Sequence, residues 1–156
     1  MVLAVMLVFW SVRYVAADEG PAPVVINELA WMGSSSSSAD EWIELHNQSA
    51  QSVDLSNWRL TKLSSGNEVT MLTVPPGRVI PPNGYFVISN YAAGNASSSL
   101  LVAPDLVDTD VALSNSALQI KLYDAVGTLI DTADDGSGNP LSGKYVSAEK
   151  IFQSME

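Results

Sequence analysis

The residue types able to run a reaction are few in this chain and poorly matched to one another. His46 is the single histidine, so a serine nucleophile with an imidazole base held by a third group would have to be built around it. The richest serine stretch, at 34–38, is a low-complexity run between Gly33 and Ala39, and no Gly-x-Ser-x-Gly elbow accompanies it. His46 is therefore expected to cap a strand beside solvent. Paired carboxylates could serve glycoside hydrolysis, with Glu28, Glu41 and Glu44 the nearest candidates. Glu41 and Glu44 are an odd number of residues apart, so on a strand they project to opposite faces. Glu28 shares the face of Ile26 unless a bulge shifts the register. Hydrogen-bond acceptance from neighbouring strands and loops is the expected role of all three, and no catalytic residue is expected.

Calcium is a more serious functional possibility, because hard cations take clustered carboxylate and carbonyl oxygens. Two loops offer them: 105–110, with Asp105, Asp108 and Asp110, and 134–139, with Asp134 and Asp135. Neither has the twelve-residue EF-hand pattern with its closing Glu, so solvated acidic loops are the expectation and no resident metal or cofactor is assigned. Trp31 and Trp42 flank the serine-rich loop and are the candidate binding residues, since exposed aromatics offer flat, rigid area to a sugar face. Core packing of at least one of them competes with that role, and Trp58 is expected to be buried. Asn47-Gln48-Ser49 and Asn95-Ala96-Ser97 match glycosylation acceptors. The chain has no cysteine, which excludes disulfides and thiolate metal sites.

Positioning these residues falls to short strands. After residue 20 no window shows a 3.6-residue apolar period, whereas runs rich in β-branched and aromatic residues recur between turn signals. Strands are expected at 24–31, 41–46, 58–63, 68–74, 85–89, 118–123 and 128–132, with a last one within 144–155. In the second, Ile43 and Leu45 point one way and Trp42, Glu44 and His46 the other. Leu55 is expected to tuck under the 47–57 connection, with Val53 helping to close that end, and Pro75-Pro76-Gly77 to stop the fourth strand. The cleanest alternation is Leu118, Ile120, Leu122 against Gln119, Lys121, Tyr123, turned into a hairpin by 124–127. Residues 33–40, 90–104, 105–110 and 134–143 read as loops. About seven to nine short strands with regular turns imply an all-β, two-sheet sandwich.

Composition narrows the function classes. Seven Lys and Arg against 17 Asp and Glu leave a net charge of −10 across 156 residues, and the cations are scattered singly. Neutralising phosphates needs clustered Lys and Arg, so nucleic acid and anionic membrane surfaces are not expected partners. The length suits one domain of ~100 to 200 residues. Residues 1–10 are almost wholly apolar, Val15-Ala16-Ala17 offers small residues for cleavage, and the chain then turns polar at Asp18. This reads as a secretory signal at 1–17, followed by a linker at 18–23 and the domain at 24–156. An uncleaved anchor is the competing reading, so contact with a membrane is expected only through this segment. Removing 1–17 takes away Arg13 and no acid, so the charge becomes −11.

Several blocks follow one another along the chain: Val25-Ile26-Asn27-Glu28-Leu29-Ala30-Trp31-Met32-Gly33, Asp40-Glu41-Trp42-Ile43-Glu44-Leu45-His46-Asn47 and Val53-Asp54-Leu55-Ser56-Asn57-Trp58-Arg59-Leu60, then Ile80-Pro81-Pro82-Asn83-Gly84-Tyr85-Phe86-Val87-Ile88, Leu113-Ser114-Asn115-Ser116, and Leu122-Tyr123-Asp124 through Gly127 to Asp131. Together they resemble the lamin tail domain family. Their order and spacing run from about residue 23 onward, and the bacterial exported branch looks closer than the nuclear one. Two departures stand out: Asn57 holds a turn where the family often has Gly, and Ser116-Ala117 replaces a Gly followed by an acid. Ser154-Met155-Glu156 looks like the start of the family's Ser-x-Glu-Arg ending, which implies a chain cut short at its last strand.

The resemblance implies an immunoglobulin-like β-sandwich that is noncatalytic and serves as an exported or cell-surface interaction or scaffold module. An unknown protein or a surface glycan is the implied partner. The loops at 33–40, 90–104 and 134–143 are the expected contact surface, because loops vary without cost to the core. Two alternatives stand beside this: an accessory domain of a longer secreted hydrolase, and a calcium-dependent adhesion module.

Overall fold

The computed structural model describes residues 23–137, so the signal segment, most of the linker and the strand expected within 144–155 lie outside the described residues. The first strand, β1 (Val24–Ala30), is followed by β2 (Trp42–Asn47), β3 (Val53–Asp54), β4 (Arg59–Ser64) and β5 (Asn67–Thr73). After these come β6 (Val79–Ile80), β7 (Tyr85–Ser89), β8 (Leu106–Val107), β9 (Ile120–Tyr123) and β10 (Leu129–Ala133). Two four-stranded sheets, ordered β1-β2-β7-β8 and β10-β9-β4-β5, and a small β3-β6 pair make up the sandwich. The described residues are thus all-β, with strand ends within a residue or two of those read from apolar alternation.

Each sheet turns its apolar alternate residues inward. Ile43 and Leu45 of β2, Phe86 and Ile88 of β7, Leu60 of β4 and Ile120 and Leu122 of β9 are buried in one cluster. Strand β1 would break this pattern, because Ile26 and Leu29 are both buried yet an odd number of residues apart. The β1–β2 register shifts between Ile26 and Glu28, and the bulge at Asn27 restores the inward facing of Leu29. The second possibility for Glu28, a bulged register, is the one the fold adopts. A bulge in β5, where the register shifts between Leu60 and Thr61 of β4, likewise lets the adjacent Met71 and Leu72 both face inward.

Turn chemistry matches the residues that hold it. The β4–β5 hairpin turns through Ser65 at φ +51° and Gly66 at φ +77°, the paired positive values that a two-residue hairpin of this hand requires. Asn57 sits at φ +63°, a left-handed conformation that Asn tolerates and Gly adopts freely. The conformation therefore suits Asn here as well as the Gly that the family resemblance suggested for this turn.

Three short strands escape the sequence reading. β3 lies within the connection expected at 47–57 and pairs with β6. β8 lies within the 105–110 stretch, which is therefore part strand and not a loop throughout, and it pairs in parallel with Ile88 and Ser89 of β7. Two-residue strands carry no alternation to detect, and their pairing depends on where distant segments pack. The β3–β6 pair closes one end of the sandwich over fully buried Leu55 and Ile80. There Asn47 Nδ2 donates to the Gln51 carbonyl at 2.7 Å and the Pro81 carbonyl at 2.9 Å.

Candidate functional site

The other end of the sandwich gathers the loops. β1 leaves the first sheet there, β2 enters it, and β7 leaves through Ser89 and Asn90. Glu41, at the mouth of β2, accepts the Leu113 N–H on Oε2 at 2.8 Å, and Lys62 of β4 donates to the Ala112 carbonyl at 3.2 Å. Asn90 Nδ2 donates to the Val111 carbonyl at 2.7 Å. These bonds stitch residues 108–113 across the mouth of both sheets. Because Ala133 pairs with Ile120, which pairs with Lys62, residues 134–137 emerge at this same end.

Two of the expected contact loops are joined directly. The serine-rich loop closes on itself through the Ser37 carbonyl, which accepts from Ser34 N at 2.8 Å and Asp40 N at 3.1 Å. Asp40, buried at its end, accepts the Ser99 N–H at 2.6 Å and the Ser99 Oγ–H at 2.7 Å on one carboxylate oxygen. Burial alone would raise its pKa, but hydrogen bonds from Ser34, Ser99 and Ser98 outweigh burial and hold the carboxyl below its usual range. Glu41 goes the other way: burial pushes its pKa up, against the opposing Leu113 amide and Lys62 charge. Beyond Ser99 the 90–104 loop presents Leu101, 90% exposed, and Val102, 67% exposed.

Of the carboxylate candidates, Glu28 and Glu44 are cross-strand partners on the outer face of the first sheet, where Glu44 accepts from Asn27 Nδ2 at 2.7 Å, while Glu41 stands apart from them, buried at the loop end. His46 stacks on Tyr85, ring centroids 4.4 Å apart and planes 11° apart. Of the calcium candidates, Asp105 Oδ2 accepts Val87 N–H at 2.8 Å, Asp108 Oδ1 accepts Asp110 N–H at 2.9 Å and Asp135 Oδ1 accepts Ser137 N–H at 2.8 Å. The Ser137 hydroxyl and amide hold the Asp135 carboxyl below its usual range. Asp110 is exposed, and Asp134 is buried at φ +59° with Oδ1 accepting Asp135 N–H at 2.7 Å. Among the described residues no three His, Asp or Glu side chains are grouped to hold a metal ion.

Trp31 and Trp42 do not form the exposed pair that a stacking platform needs: they are 4% and 9% exposed. Trp31 belongs to the core cluster, where burial of a large ring outweighs any gain from leaving it in water. Trp58 is buried as expected. Of the two glycosylation triplets, Asn47 is engaged in the interior, whereas Asn95 is exposed on the 90–104 loop. The sequence reading missed Leu101, Val102 and Tyr85. A five-residue apolar run at 100–104 inside a polar loop was a visible signal for the first two. For Tyr85 only cross-strand register reveals the stack.

Comparison with curated proteins yields no match. A family model, the Lamin Tail Domain, matches residues 17–137, most of the chain and the whole of the described sandwich. The bulged first strand, the Asn57 turn and the Tyr85 strand all fall inside that match, and with them in place the chain belongs to the lamin tail domain family.

Proposed function

We propose that this lamin tail domain is a noncatalytic module, exported to the cell surface, that works by holding a protein partner at the loop end of its sandwich. The observation that carries this reading is the apolar tip Leu101–Val102, set on a loop whose base is clamped by Asp40. Large apolar side chains this exposed on a clamped loop are costly to hydrate, and such patches mark contact surfaces. Clamping the loop base lowers the conformational entropy lost on binding. The apolar segment at 1–17 followed by an abrupt polar turn supports export, and the net charge of −10 disfavours a nucleic-acid role.

The test is crosslinking to envelope proteins with the full chain and with a Leu101→Ser/Val102→Ser variant. The wild type should give a discrete adduct that the variant lacks while unfolding at the same temperature. A second variant lacking residues 34–38 probes the neighbouring loop. If both variants fold and retain every adduct, the contact surface lies elsewhere.

A further inference from the structure

The outer face of the first sheet carries a second feature, away from the loop end and independent of the proposal above. Its rows follow from the register. Val25, His46 and Tyr85 lie side by side across β1, β2 and β7, and the next row sets Glu28 against Glu44 and Glu44 against Val87. The bulge at Asn27 adds an extra residue to that row, so Asn27 reaches Glu44 and donates from Nδ2 to Oε1 at 2.7 Å. None of the four strands of this sheet contains Lys or Arg.

Tyr85 is 52% exposed, yet it is not a loose surface side chain. His46 backs its ring at 4.4 Å and 11°, which holds the ring upright on the sheet. Beyond β7 the neighbouring strand β8 pairs with Ile88 and Ser89 and Asp105 just before it bonds to Val87, so the flanking chain reaches Val87 and among the described residues no strand pairs with Tyr85 on its far side. The result is an aromatic plane of fixed orientation with one face open. A step of two residues along the strand, about 7 Å, separates this plane from the Glu44–Asn27 pair, which offers a carboxylate acceptor beside an amide that can accept and donate.

We infer that this face binds a neutral, hydroxyl-rich oligosaccharide, with one pyranose stacked on the open side of Tyr85 and an adjoining sugar's hydroxyls on Glu44 and Asn27. The chemistry selects that class. An anionic polymer would meet the row of Glu28 and Glu44, the strands offer it no Lys or Arg, and the Arg78 guanidinium at the sheet edge is engaged by the Asp105 carbonyl at 3.1 Å. A protein interface centres on well-packed apolar and aromatic residues, and here the strand residues around Tyr85 supply only half-buried Val25 and Val87. A sugar presents an apolar C–H face and a polar hydroxyl rim, which matches a ring placed beside a carboxylate and an amide.

The experiment measures retention of the full chain on microcrystalline cellulose, chitin and insoluble starch at 0.1 and 0.5 M NaCl, with oligolysine beads as the cationic comparison. Retention on at least one neutral polysaccharide is expected at both salt concentrations. Tyr85→Ala should weaken it by about tenfold, Tyr85→Phe should keep it, and Glu44→Gln should weaken it severalfold, all with unchanged thermal unfolding. Leu101→Ser/Val102→Ser should bind like wild type, which separates this site from the loop-end reading. Failure on all three polysaccharides, equal binding by Tyr85→Ala, or retention confined to oligolysine and abolished by salt would each overturn the inference.

Discussion

Asp40 and Ser99 lie 59 positions apart in the chain, and one oxygen of Asp40 accepts both the amide and the hydroxyl of Ser99, at 2.6 and 2.7 Å. The bond pair ties the serine-rich loop to the loop that carries Leu101. Removing the acceptor in Asp40→Ala leaves the Ser99 amide and hydroxyl without it and is expected to cost about 1–3 kcal/mol. Because the Asp40 carboxyl is held below its usual range, its stabilisation is present above the unfolded value, roughly 3.9, and is lost as pH falls through the lower folded value. Urea unfolding at pH 7, 5 and 3 should therefore show a wild-type advantage that is constant at the first two and shrinks at the third.

Glu41 should behave in the opposite sense. Burial raises its pKa, so the folded state favours the neutral form, and that contribution is complete below the unfolded value and lost as pH rises through the folded one. Glu41→Gln keeps an oxygen able to accept the Leu113 amide and removes the ionisation penalty. The variant should match or exceed wild-type stability at pH 7, with the difference vanishing toward pH 4, as read by thermal unfolding across that range. A variant destabilised at pH 7 would mean that the Lys62 attraction outweighs burial.

A carboxylate placed at Ile43 or Ile120 meets the centre of the core. Both side chains are fully buried, and an unpaired charge there costs several kcal/mol. Ile43→Asp and Ile120→Asp should each lose about 4 kcal/mol or more, visible as a chain without a cooperative transition. Unchanged melting in either would refute the inward facing of that strand.

At Asn57, the left-handed backbone sets the order of substitutions. Asn57→Gly should be within a few tenths of a kcal/mol of wild type or slightly better, because Gly has no Cβ penalty at positive φ, and Asn57→Ala should cost about 1 kcal/mol, because Ala keeps the Cβ but lacks the local hydrogen bonding that lets Asn tolerate the left-handed region. Denaturant midpoints of the two variants check the ranking.

Calcium should leave thermal unfolding unchanged. Asp105, Asp108 and Asp135 each spend a carboxylate oxygen on a backbone amide. Asp134 keeps Oδ2 buried without a hydrogen-bond partner, but one such oxygen falls far short of the ~6–8 that calcium takes. A native-state ligand raises stability by mass action, so a clear rise in melting temperature on moving from chelator to millimolar calcium would reassign the acidic loops.

Much of the architecture was legible because it rests on local alternation. Leu118, Ile120 and Leu122, the Ile43–Leu45 pair and the Tyr85 strand announce their inward faces in the residues themselves, since a strand buried on one face must repeat every second residue. The odd spacing of Ile26 and Leu29 was ambiguous, and only the partner strand shows that a bulge resolves it. For the candidate sites the reading was weaker. Trp31 and Trp42 border a polar loop in sequence, yet both rings are covered: Trp31 joins the core cluster, while Trp42, which alternates with Glu44 and His46 on the other face of its strand, is still only 9% exposed, because burying that much apolar area outweighs the polarity of nearby residues. Tyr85, in an equally apolar strand, stays half in water.

By itself, the sequence determined that the chain is an all-β lamin-tail-like sandwich, which residues line its core and, having no cysteine, that it carries no disulfide or thiolate metal site. Composition and period settle such matters because each strand contributes them independently. The tertiary structure alone decided which loops are clamped together, which aromatic rings remain exposed and which carboxylates share a face. Those relationships depend on register and on contacts between segments tens of residues apart, such as Asp40 with Ser99 and His46 with Tyr85, and no local spacing encodes which distant partner a side chain will meet.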